Sequence, residues 1–149
     1  MKKIFPVLIT VVCLLFLSGC DMERIEAEHF QSVMEANQYE VIDVTYQIDG
    51  NQIQLVLLGM CETYQFEFYE FVSDMQAHSF FQDVRETFES NRESVHTTRS
   101  SSGGNFERFQ QTSSGVFAYL LRVENIVIVV EADAVYRDGI RDIMDLLAD

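Results

Sequence analysis

Glu26 and His29 are a carboxylate and an imidazole three residues apart, a spacing that puts both on one face of a helix. Carboxylate-bridged metal proteins use that arrangement. A metal centre there would need two or three further ligands converging on the same point, and no second such pair is visible in the sequence. His29 also falls on an apolar stripe, which predicts a partly buried, hydrogen-bonded histidine. Asp74 and His78 stand four apart on the polar side of another helical stretch, where an exposed pair contributes about 0.3–0.5 kcal/mol and no chemistry. His96 lies in a Ser/Thr/Gly-rich segment that would not hold it in place. Cys61 could be a nucleophile if a base lowered its pKa, but the adjacent Glu62 acts in the opposite direction. A buried or half-buried structural cysteine is expected instead. Ser102-Gly103-Gly104-Asn105 precedes a strand, so no helix N-terminus follows to cradle a phosphate. The sequence contains no Gly-x-Ser-x-Gly elbow, phosphate loop, dinucleotide fingerprint, HExxH or EF-hand spacing. No catalytic residue, metal ligand or cofactor is assigned from these patterns.

Positioning any of these groups falls to elements that the hydropathy pattern outlines. Met22, Ile25, His29, Phe30, Val33 and Met34 share one stripe at helical spacing, which predicts a helix from about Met22 to Asn37. Val41 to Ile48 alternates as a strand, Asp49-Gly50 reads as a two-residue hairpin turn, and Ile53 to Met60 is a short apolar strand. Tyr64 to Phe71 alternates again. Ser73-Asp74-Met75-Gln76 reads as a capping box opening a helix that places Ala77, Phe80, Phe81, Val84 and Phe88 on one face and ends near Asn91. Residues Ser94 to Asn105 show no apolar pattern and are expected to form a flexible loop. Phe106–Thr112, Val116–Val123 and Ile126–Glu131 read as three strands joined by tight turns at Ser113-Ser114-Gly115 and Glu124-Asn125. A last helix from about Ala134 groups Tyr136, Ile140, Ile143, Met144 and Leu147. The expected order is α-βββ-α-βββ-α. That is an α+β domain with an antiparallel sheet of about five or six strands packed against helices that cover its apolar face. The dense aromatic group of Phe66, Phe68, Tyr69, Phe71, Phe80, Phe81 and Phe88 reads as core between sheet and helix rather than as an apolar ligand pocket.

The chain has 149 residues, 24 acidic against 10 basic, and a formal net charge of −14. That length fits one domain. Such acidity excludes nucleic acid as a default partner, because phosphate contacts need clustered Lys and Arg. Met1-Lys2-Lys3 is a cationic start, and the apolar run from Ile4 to Leu17 is shorter than the ~20 residues of a membrane-spanning helix. Together they read as a secretory signal. Leu17-Ser18-Gly19-Cys20 resembles the lipobox of bacterial lipoproteins. The resemblance implies that residues 1–19 are removed and that Cys20 becomes the diacylated first residue of a mature chain, 20–149. Two or more acyl chains, palmitate among them, anchor stably where one gives only marginal binding. Losing Lys2 and Lys3 from the ten basic residues leaves eight arginines against 24 acids, a formal −16. With Cys13 removed and Cys20 capped, Cys61 is the remaining thiol.

Beyond the lipobox, the chain resembles small uncharacterised lipoproteins of Gram-positive, clostridia-like bacteria. The matching features are Phe66-Glu67-Phe68-Tyr69 leading into the Phe80/Phe81 helix, the Ser-rich stretch, the Arg122-Val123-Glu124-Asn125 turn, and the terminal helix from Tyr136. The resemblance implies a location on the extracytoplasmic face of the cell membrane and transfers no activity. Two functional expectations follow. One is a noncatalytic binding module at the envelope, whose acidity favours a basic peptide or envelope-protein partner. The other is a small envelope hydrolase using carboxylates or His29.

Overall fold

The computed structural model describes residues 21–48 and 50–149; Cys20, the signal segment and Asp49 lie outside them. Helix α1 (Ala27–Ala36) leads into strands β1 (Glu40–Asp43), β2 (Ile53–Met60) and β3 (Gln65–Phe71). Helix α2 (Asp74–Ser90) then carries the chain to β4 (His96–Ser102), β5 (Phe106–Ser113), β6 (Val116–Val123) and β7 (Ile126–Asp133), and helix α3 (Arg137–Ala148) follows. The seven strands form one sheet in the order β1-β2-β3-β7-β6-β5-β4, each paired antiparallel to its neighbours. The α+β class with an antiparallel sheet holds. The strand count and order do not: the second group has four strands, giving α-βββ-α-ββββ-α.

The added strand is β4, in the segment expected to be a flexible loop. It pairs with β5 from His96 opposite Ser113 to Ser102 opposite Glu107. Only His96 is half-buried and the other six residues are exposed, so neither face carries the apolar alternation that marks a strand. Its backbone pairing, not its side chains, makes it a strand.

The Val41–Ile48 strand is likewise shorter than expected. After Asp43 the chain turns into a single 3-10 turn, Thr45–Gln47. Asp43 Oδ1 accepts from the Thr45 backbone N–H at 2.9 Å and from its hydroxyl at 2.6 Å, an Asx turn that ends the strand. Those two bonds hold the Asp43 carboxyl below the ordinary range. The link from Asp43 to Ile53 is therefore longer than the expected two-residue hairpin, and Asp49 of that expected turn lies outside the described residues. The other two turns form as expected. Ser114 (φ 54°) and Gly115 (φ 78°) close the β5–β6 hairpin between the paired Ser113 and Val116. Glu124 (φ 53°) and Asn125 close β6–β7.

Both faces of the sheet are covered, where one apolar face was expected. Phe117, Tyr119, Leu121 and Val123 of β6, with Ile126, Ile128 and Val130 of β7, pack beneath α1 and α3. Leu120, Val127, Val129 and Phe109 pack on the opposite face beneath α2. Alternation along β3 divides the aromatic group in the same way: Phe66 and Phe68 join the first layer, Phe71 and Phe81 the second.

Helix α1 packs tightly on the sheet at Gly59. A Cβ there would lie 2.7 Å from Met34 Sδ and 2.8 Å from Met34 Cγ, and Met34 is fully buried. Gly59→Val should therefore destabilise the fold by about 1–3 kcal/mol, read as a lowered urea midpoint at unchanged slope.

Candidate functional site

The antiparallel registers bring one set of ends together. The end of β1, the start of β2, the end of β3, the β4–β5 turn and the β6–β7 turn all lie on the same side of the molecule. Residues 21–26 cross this end as a non-helical strap before α1 begins, where a helix from Met22 was expected. Met22 and Ile25 still reach the core from the strap, which is why they share the helical stripe in sequence.

Two turn asparagines tie the strap down. Asn105 Oδ1 accepts from the Met22 backbone N–H at 2.9 Å, and its Nδ2 donates to the Met22 carbonyl at 2.7 Å. Asn125 Oδ1 accepts from Arg24 Nε at 3.1 Å while its Nδ2 donates to the Phe71 carbonyl at 2.7 Å. Arg24 also pairs with Glu26 and, at 2.7 Å, with Glu70. Glu26 contributes most to holding the Arg24 proton more firmly than usual, with Glu70 adding to it. None of these partners follows any periodic pattern; Asn125 in a predicted turn is the one sequence signal that pointed there, Asn105 having been placed in the expected loop. Asn125→Ala removes an acceptor and a donor at once. It should cost about 1–3 kcal/mol and raise amide exchange across residues 21–26 well above that of β6.

At the same end, on the α2 face of the sheet, the β1–β2 loop and the first turns of α2 line a cleft of about 730 Å³. Ile53, Phe71 and Phe80 form its apolar floor; Asn51, Gln52, Ser79 and Asp83 supply polar groups around it. The floor is held by aromatic packing, with the Phe80 ring 5.2 Å from Phe71 and 4.9 Å from Tyr69. Phe71 and Phe80 thus serve as core on one side and as cleft wall on the other. Gly50, in the loop, has φ 141°, a conformation a side chain would strain. Ser73 Oγ accepts from the Gln76 N–H at 3.4 Å as the capping pattern predicts. The reciprocal half of the box is missing, since Gln76 Oε1 is buried beside the cleft without a partner. An apolar floor with a few polar groups and a carboxylate at its rim suits an amphipathic ligand carrying a cationic or hydrogen-bonding group.

The histidines stay apart. His29 is exposed, not partly buried, and its Nε2 lies 3.2 Å from the Leu146 carbonyl, while Glu26 is taken by Arg24. His78 does not pair with Asp74; its Nδ1 lies 2.9 Å from Glu107 Oε2, an oxygen that also accepts from Arg122 Nε at 3.0 Å. His96 Nδ1 is 2.8 Å from the Glu93 carbonyl, fixed on β4. Among the described residues no three His, Cys, Asp or Glu side chains converge as metal ligands would.

Cys61 is exposed in the β2–β3 turn rather than buried. What burial it has pushes the thiol pKa up, but hydrogen bonding by Thr63 and Tyr64 outweighs this and lowers it. That reverses the direction expected from Glu62. No proton-accepting histidine stands beside it, its side-chain neighbour within hydrogen-bond range being the Thr63 hydroxyl at 3.5 Å.

No family model and no curated protein matches the chain. Among solved structures it is similar to a GTP-binding regulator from Thermotoga maritima, with 14% sequence identity, 87% of this chain and 90% of that chain covered, and a TM-score of 0.48.

Proposed function

We propose that the protein is a lipid-anchored extracytoplasmic binding module, held to the cell membrane through Cys20, that takes a basic peptide or a basic segment of an envelope protein in the cleft beside α2. The observation that carries this reading is the place of the cleft: Gln52, Ile53 and Phe71 of its lining belong to the end of the sheet crossed by the strap, whose first residue, Asp21, follows Cys20 directly. An anchor at that point confines the cleft near the membrane and raises its effective concentration toward envelope partners. Asp83 on the rim and the surplus of 24 acidic over 10 basic residues favour cationic ligands and oppose nucleic acid.

The test is capture from envelope extract by the full lipidated chain at low and high salt, beside an Asp83→Lys variant. A basic partner retained at low salt, weakened at high salt and bound at least ~10-fold more weakly by the variant, equivalent to about 1.4 kcal/mol, supports the reading. Partners indifferent to both salt and the variant would remove the cleft from the account.

A further inference from the structure

We infer that the strap end of the sheet seats on the lipid surface, with Tyr46, Ile48, Val72 and Met75 entering the headgroup region. The inference rests on the Cys20 anchor proposed above and adds an orientation to it. Tyr46 is 83% exposed, Met75 80% and Val72 52%. All four side chains belong to the β1–β2 loop or to the β3–α2 junction, which share an end with the strap.

Exposure alone does not select this end. The opposite end also exposes apolar side chains, among them Val95 and Val135. The strap makes the choice. Met22 is bonded through both its backbone N–H and its carbonyl to Asn105. Cys20 is two residues from that fixed point, and two residues span at most ~7 Å. An acylated Cys20 therefore leaves the β4–β5 turn no room to stand away from the bilayer.

A single attachment would let the domain swing about that turn. Val72 follows β3, three strands from β5, so the apolar side chains stand about 14 Å along the same end from the attachment. Lipid at one corner and apolar side chains at the other give two contacts along this end, and together they restrict the swing. The cleft behind Met75 and Ile48 then opens at the lipid–water boundary. Asp21, Glu23 and Asp74 are exposed at this end and are repelled by anionic headgroups, so zwitterionic lipid gives the clearest reading.

The chain has no tryptophan, so a single introduced indole reports without background. The full lipidated protein carrying Met75→Trp, Val72→Trp or, at the far end, Val135→Trp is reconstituted into phosphatidylcholine vesicles with brominated acyl chains. Met75→Trp and Val72→Trp should be blue-shifted and quenched at least ~2-fold more than Val135→Trp, as for side chains ~5–10 Å below the surface. Vesicle flotation separates the two ideas. Protein that floats with all three indoles equally quenched, or none quenched, overturns the orientation and leaves the anchor standing. Protein that does not float overturns the anchor, and the orientation with it.

Discussion

Cys20→Ser should abolish incorporation of labelled palmitate and leave residues 1–19 uncleaved, both read from the mass of the intact polypeptide recovered from cells. The size of the effect follows from the anchor chemistry. Two acyl chains of the palmitate class carry about 30 methylenes at ~0.8 kcal/mol each, so they contribute more than ~20 kcal/mol of transfer free energy. No set of protein side chains on this surface approaches that value, since burying even a large apolar residue gives about 1.5–3 kcal/mol. Serine is close to cysteine in shape but offers no thiol for acyl transfer, so the change tests the sulfur. A wild-type chain with no fatty acid and an intact amino terminus would remove the anchor, and a variant that still incorporates palmitate would move it to another residue. Cys61, exposed in the β2–β3 turn, is the control: Cys61→Ser should leave both labelling and cleavage unchanged.

The parts of the fold that were legible in sequence are the ones that side-chain burial specifies. β6 and β7 bury residues on both faces, their two-residue turns need the backbone that Ser114-Gly115 and Glu124 adopt, and α2 announces its start with Ser73. β4 was hidden because a strand exposed on both faces has no reason to alternate; only its ladder with β5 defines it. The strap is hidden for the opposite reason. Met22 and Ile25 are packed against the core, and in sequence their burial merges with the stripe of α1 although the backbone between them is not helical.

The candidate site shows the same division. Its floor, Phe71 and Phe80, was visible as part of an aromatic group, but the cleft depends on where the β1–β2 loop goes. That path follows from the Asp43–Thr45 turn, a side-chain-to-backbone bond with no hydropathic signature. Long-range polar partners such as Asn125 with Arg24 are set by the fold and cannot be paired from spacing, being about a hundred residues apart in a chain of 149.

Phe68→Ala should be among the most damaging single truncations in the core. The side chain has no exposure, its ring centroid lies 5.0 Å from that of Phe30, and its strand sits between β2 and β7 with Leu57 and Ile128 as register partners. Removing it strips contacts from a helix and two strands at once, and strand neighbours held by ladder bonds cannot collapse into the space. Loss of about 3–5 kcal/mol is expected, against a total of roughly 5–15 kcal/mol for a domain of this kind. Thermal unfolding should fall by roughly 10–20 °C. Met75→Ala, at a side chain 80% exposed on the same sheet end as the cleft, should change stability by less than ~0.5 kcal/mol. The pair separates core from surface by one measurement. Equal effects in both variants, or a loss below ~1 kcal/mol at Phe68, would mean that the α1 layer does not close over β3 in solution. The strap that α1 continues would then no longer hold the amino terminus against the sheet end.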